Sequence, residues 1–226
     1  MKSKRILGVV LSAVMVISVN SQILAAETTS TLANITNTEA TITIQTDAPT
    51  LLTSEQLLEL IEQAPDITET RSRITLADRR ITEAELTAWK AEYWELGGIN
   101  SYELEVIRLI NIERVNAGLN QLAVEPILIM TARFHSQEMA DLQYFNHRSP
   151  HHGRGRDRAE MFGHENIQEH VWGIRENISG STRSPEMVVQ SWMKSPGHRA
   201  AILGEHYLTI GVGAVQGGGT TANFGS

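Results

Sequence analysis

Apolar and polar positions recur at two periods along this chain, and the change of period locates its elements. In SYELEVIRLINIERVNAGL (101–119), Val106, Leu109 and Ile110 share one helical face, and Gly118-Leu119 ends the run. In EPILIMTARFHSQEMADLQYF (125–145), Leu128, Ala132, His135, Met139 and Leu142 step by four, three, four and three, which predicts a helix with one stripe on a core. His135 lies on that stripe and reads as a hydrogen-bonded core residue. SPEMVVQSWMK (184–194) predicts a helix with Ser184 as N-cap, Pro185 in the first turn, and Met187, Val188 and Trp192 facing inward. The period then falls towards two: Tyr207–Val215 is apolar and β-branched, Gly217–Gly219 turns, and Thr220–Phe224 returns. Helices around a small antiparallel sheet make the class α+β.

Two further helices precede this domain. TSEQLLELIEQA (53–64) has Thr53 or Ser54 as cap and Leu57, Leu58, Leu60 and Ile61 as its stripe. EAELTAWKAEYWEL (83–96) is closed by Gly97-Gly98. Its Leu86, Trp89, Tyr93 and Trp94 cluster either against the main domain or as a docking stripe for a partner. The stretch 145–184 is long and irregular, with a short helix at 156–162, and loops of that length are usually functional. Within it, HRSPHHGRGR (147–156) reads as a solvated loop that pairs with acids such as Asp157 and Glu160; a metal or an anionic glycan is the alternative.

The first residues change the picture of where the chain works. Lys2, Lys4 and Arg5 precede an apolar run of 14 residues, Ile6 to Val19, and Ala25-Ala26 follows. This is the build of a secretory leader cut after Ala26, and the run is short for a membrane span. Removing residues 1–26 takes three positive charges and lowers the formal charge from −7 to −10. Such a chain is a poor binder of nucleic acid. Residues 27–50 hold nine threonines in 24 positions and read as a disordered spacer, although TITIQT can pair as a strand. The chain has no cysteine, so its core alone must hold it. The expected division is leader 1–26, spacer 27–50, helical extension 51–100 and main domain 101–226, with no transmembrane segment after cleavage.

Five pieces in order carry a resemblance: LINIERVNAGL (109–119), ARFHSQEMADLQYFNHRSP (132–150), RENISG (175–180), SWMKSPGHRAAIL (191–203) and IGVGAV (210–215). Together they resemble the CAP superfamily of cysteine-rich secretory proteins, antigen 5 and pathogenesis-related proteins, in its bacterial, cysteine-free branch. The resemblance implies a three-layer α-β-α sandwich with a broad surface cleft. It implies cleft residues His147, Glu176 and His198. The second family glutamate is missing, and Ser195 stands in its place three residues after Trp192. Glu176 is chosen over Glu165 and His164 of HENI (164–167) because it lies 16 residues before Trp192, as the family spacing suggests.

The expected chemistry follows from those side chains. Pro196 is expected to end a helix and Gly197 to turn the chain, presenting His198 at a corner. His147, His198 and Glu176, with a water, are suitable donors for zinc. Without a metal, the same groups can tie the long loop to the helix end, and imidazoles on a carboxylate would charge between about pH 5 and 8. Ser195, His198 and Glu176 include the residue types of a hydrolase triad, but no G-x-S-x-G elbow is present. The resulting expectation is a secreted or wall-associated, non-catalytic module for a lipid, glycan or peptide. The alternative is a metal-assisted extracellular hydrolase using His147, Glu176 and His198.

Overall fold

The computed structural model describes residues 49–164 and 173–226, and the backbone of Ile17–Val19 and Ala40–Ile42. The leader's cut and most of the spacer lie outside the described residues. Within them, β1 (Ile17–Val19) pairs antiparallel with β2 (Ala40–Ile42). No helix among the described residues is long and apolar enough to cross a membrane.

Three successive helices start by the same reciprocal cap. In α1 (Ser54–Gln63), Thr53 and Gln56 exchange side-chain and backbone bonds; in α2 (Glu83–Glu95), Thr82 and Glu85 do; in α3 (Ser101–Asn116), Asn100 and Glu103 do. Gly118 follows α3 at φ +78°, a left-handed conformation that a side chain disfavours. The sheet has strand order β3 (Ala123–Val124), β5 (Thr209–Val215), β6 (Gly219–Gly225), β4 (Arg175–Ser179). β5, β6 and β4 are antiparallel, while β3 runs parallel to β5, so the sheet is mixed and not wholly antiparallel as expected.

α4 (Pro126–Asp141) and α5 (Gly155–Met161) cover one face. α3, α6 (Pro185–Lys194) and α7 (Pro196–Ile202) lie on the other. α4 approaches β5 backbone to backbone. A Cβ at Gly211 would lie 2.1 Å from the Leu128 carbonyl carbon, and one at Gly213 1.9 Å from the Arg133 nitrogen. Only glycine fits there, so IGVGAV is a packing device for α4.

α4 carries more than the predicted stripe: Pro126 and every residue from Leu128 to Met139 are buried. The reason is α2, which adds a further layer. Trp89 stacks edge-on against Phe134 and Phe162, and its indole nitrogen donates to Gln137 Oε1 at 2.9 Å. Leu52, Leu57, Leu60, Leu76, Leu86 and Tyr93 join the same core. Each such side chain contributes about 1.5–3 kcal/mol when removed from water. The extension is thereby built into the domain's core.

Three local expectations need correction. Met187 is 59% exposed, because the inward face of α6 is Val188, Val189 and Trp192. The stretch 145–184 contains strand β4, which short, polar RENIS does not signal by alternation. Pro196 starts α7 with Ser195 as N-cap, since proline fits the first turn where no amide donor is needed.

Gly213→Ala is expected to destabilise the fold by about 3 kcal/mol or more, because backbone must move to admit the methyl. Gly217→Ala meets nothing within 4 Å and should cost only the strain of φ +83°, about 1 kcal/mol. Urea midpoints of the two variants would test this difference; equal losses would refute the close-packing account.

Candidate functional site

Glu176 sits on β4 opposite Asn223 of β6, which in turn pairs with Gly211 of β5. Side chains in such a row share a face, here the face that α4 covers. Glu176 therefore points under α4 and α5, and its side chain is only 7% exposed. Arg158 of α5, wholly buried, grips Oε2, and His147 Nδ1 donates to Oε1 at 2.9 Å. α5 packs closely here: its first residue is Gly155, where a Cβ would lie a tight 3.3 Å from Glu176 Oε2. Burial by itself would raise the Glu176 pKa. The hydrogen bond from His147 and the charge of Arg158 outweigh it and hold the carboxyl below its ordinary range.

Arg158 also ties down the loop. Its Nη1 donates to the carbonyls of Gly153 at 2.7 Å and His147 at 3.4 Å. The supposedly solvated HRSPHHGRGR loop and the arginine following it are thus partly internal, because a buried carboxylate needs partners. His152 is buried and donates from Nδ1 to Glu138 Oε1 at 2.6 Å. Asp157 accepts the Arg154 amide, and His151 pairs with Asp78 at 2.7 Å. His135 is a core residue as expected, but it also touches the site. Its Nε2 donates to the Asn146 carbonyl at 3.0 Å and lies 3.8 Å from Glu176 Oε1. Burial keeps His135 below its ordinary pKa.

β4 is an edge strand, and the cleft folds around it. Glu176 lies on one face, while Asn177 on the other donates to the His198 carbonyl at 3.0 Å. One cavity of about 330 Å³ is lined by His147, Arg154, Arg175, Glu176, Ser195 and His198, among others. The four sequence candidates His147, Glu176, His198 and Ser195 thus share a cleft. His147 bonds Glu176 directly. His198, in the first turn of α7, lines the same cavity, and its pKa is lowered by burial, then by the charges of His147 and Arg175. Ser195 caps α7 through its position, without a side-chain cap bond.

Among the described residues no group of three or more His, Asp or Glu side chains is arranged to hold a metal. Both Glu176 oxygens are engaged, and Arg158 would sit beside any cation there. Of the second choices, Glu165 lies outside the described residues, and His164 pairs with Glu125 at 2.8 Å, away from this cleft.

Sequence reasoning missed Arg158 and His135 as parts of the site. Nothing in R-G-R-D-R marks one arginine as buried; its partner lies 18 residues on.

The family model described as "CAP: Cysteine-rich secretory protein family" matches residues 107–225. "Uncharacterized protein YkwD" of Bacillus subtilis (strain 168) is 41% identical over 120 residues, 53% of this chain and 45% of the relative. "Uncharacterized membrane protein YlbC" of the same strain is 34% identical over 111 residues, 49% of this chain and 31% of the relative. The chain therefore spans less than half the length of either curated relative. An extracellular protein containing a SCP domain from Bacillus anthracis str. Ames aligns with a TM-score of 0.49 and 30% identity, over 54% of this chain and 39% of that one.

Three measurements test the site. Arg158→Met should destabilise the fold by about 3–5 kcal/mol, because it strands a buried carboxylate. Glu176 has a depressed folded pKa, so its contribution is complete above the unfolded value of about 4.3 and is lost as pH falls through the folded value. The stability gap between wild type and Glu176→Gln should accordingly shrink on acidification below that value; a gap constant from pH 7 to 2 would contradict the assignment. Zinc calorimetry on wild type, His147→Ala and His198→Ala should give equal, small heats, and a stoichiometric heat lost in both variants would restore a zinc site.

Proposed function

Because the chain belongs to the cysteine-rich secretory protein (CAP) family over residues 107–225, we propose that its cleft is a non-catalytic binding site outside the cell or at its envelope. The ligand is a lipid head group, glycan or peptide that presents a carboxylate or phosphate. The supporting observation is the state of Glu176: Arg158 and His147 engage both its oxygens. A carboxylate so held is a poor general base and a poor metal donor. That weighs against the metal-assisted hydrolase. Ser195, at a helix N-cap, has no described base bonded to its hydroxyl.

What faces solvent in the cleft is cationic. Arg154 and Arg175 are exposed, and His147 is 43% exposed at its side chain. Glu176 is the one acid among the described lining residues, and it is already neutralised. The whole chain carries a formal charge of −7, so a positive cleft in it draws anions locally. The basic start, short apolar run and Ala25-Ala26 support export.

Calorimetry with tetragalacturonate and, separately, inorganic phosphate tests the reading, with neutral maltotetraose as control. Binding of at least one anion should weaken with salt and fall about 5–10-fold in Arg175→Gln, with the sugar recovered uncut. Equal binding of the neutral sugar, insensitivity to salt, or cleavage of the tetrasaccharide would each overturn it.

A further inference from the structure

The segment 71–80, RSRITLADRR, runs between α1 and α2 and holds four arginines. Three of them are engaged by carboxylates. Arg71 pairs with Asp141 at 2.9 Å, Arg73 with Glu92 at 3.0 Å, and Arg79 forks onto Glu85 at 2.6 and 2.9 Å. Among the described residues, Arg80 reaches only the His151 carbonyl, at 3.4 Å. Residues Ala77 to Arg80 are all exposed and lie outside any helix or strand. An exposed loop stretch with one arginine head free of carboxylates among the described residues is what an arginine-specific protease can take into its acidic pocket.

The next residue is placed unusually. The Ile81 amide donates to His152 Nε2 at 2.9 Å, although His152 is 3% exposed. Because Nε2 accepts, the ring proton is on Nδ1, which donates to Glu138. Glu138 is fully buried, and its other donors are the hydroxyls of Ser149 at 2.7 Å and Tyr144 at 2.7 Å. His135 Nδ1 is 3.7 Å away. None of these is a guanidinium or ammonium. Glu138 is thus a buried carboxylate satisfied by neutral donors, and a cation beside His152 would complete it.

We propose that the Arg80–Ile81 bond is a processing site for a trypsin-like, arginine-specific serine protease, and that the new Ile81 ammonium stays docked on His152 Nε2, with Glu138 behind the ring on Nδ1. Water adds across the peptide: the C–N bond breaks, Arg80 keeps a carboxylate, and the nitrogen leaves as the Ile81 amine and takes up protons. The released N-terminal piece remains in place, because Leu52, Leu57, Leu60 and Leu76 are buried in the shared core and Thr50 pairs with Val124. The cut changes the strap, and with it the loop of His151 and His152 that leads back to His147. This inference is independent of what the cleft binds.

The test is limited trypsin digestion of the full chain, read by intact mass and N-terminal sequencing. The first new N-terminus should be Ile81, and both pieces should co-elute on gel filtration. Acetic anhydride at pH 8 should label that amine at least tenfold more slowly than after denaturation. Arg80→Gln, an exposed change, should abolish the cut, whereas Arg79→Gln should leave it. A first cut elsewhere, such as after Arg148 or Arg183, would refute the site. An Ile81 amine labelled as fast as that of the unfolded chain would refute the docking.

Discussion

A carboxylate taken out of water must be given cations or hydrogen-bond donors by the protein itself, and Glu176 meets that demand with Arg158 and His147. Much of the cleft follows from this requirement. Gly155 at the start of α5 leaves little room between that helix and the strand, where a Cβ would lie 3.3 Å from Glu176 Oε2. The Arg158 guanidinium also holds the carbonyls of Gly153 and His147, so one buried ion pair orders a loop of mixed polar residues. Breaking such a pair costs far more than its formation stabilises, which makes it a constraint on geometry more than a source of stability.

The same logic runs along α4. Its Arg133 pairs with buried Glu103, which also accepts the Ala214 amide at 2.8 Å, joining α3, α4 and β5. Its Gln137 bridges Trp89 and the Ile74 carbonyl. Its Glu138 collects His152, Ser149 and Tyr144. A helix buried on all sides cannot send its polar groups to solvent, so each becomes a joint between layers. Two of those joints, through Gln137 and His152, reach the segment ahead of α2. The extension outside the matched family residues is therefore tied to the domain by polar contacts as well as by its leucines and Trp89.

In the proposed reading, recognition falls to the rim of the cleft and not to its buried acid. The acid that resembles a catalytic group is neutralised, while Arg154 and Arg175 remain free to face solvent around it. A charged rim over a satisfied floor suits steering and holding an anion.

Helical stripes, caps and the glycine-punctuated hairpin were legible because they depend on neighbours within about four positions, where period and cap chemistry act. Thr53, one of two candidates, and Ser184 cap where the residue pattern places them, and the cleft is lined by His147, Glu176, His198 and Ser195 together. What the chain alone could not reveal was which charges go inside. Met187 on α6 turns outward, and strand β4 hides in a loop-like stretch. Arg158 reads like any surface arginine and His152 like a solvated loop histidine, yet both are buried by partners distant in sequence. Sequence determined local shape, since torsions and hydrogen bonds to near neighbours set it. Tertiary structure decided burial and pairing, since desolvation depends on which distant layers, α2 above α4 and β4 beneath α5, close over a side chain.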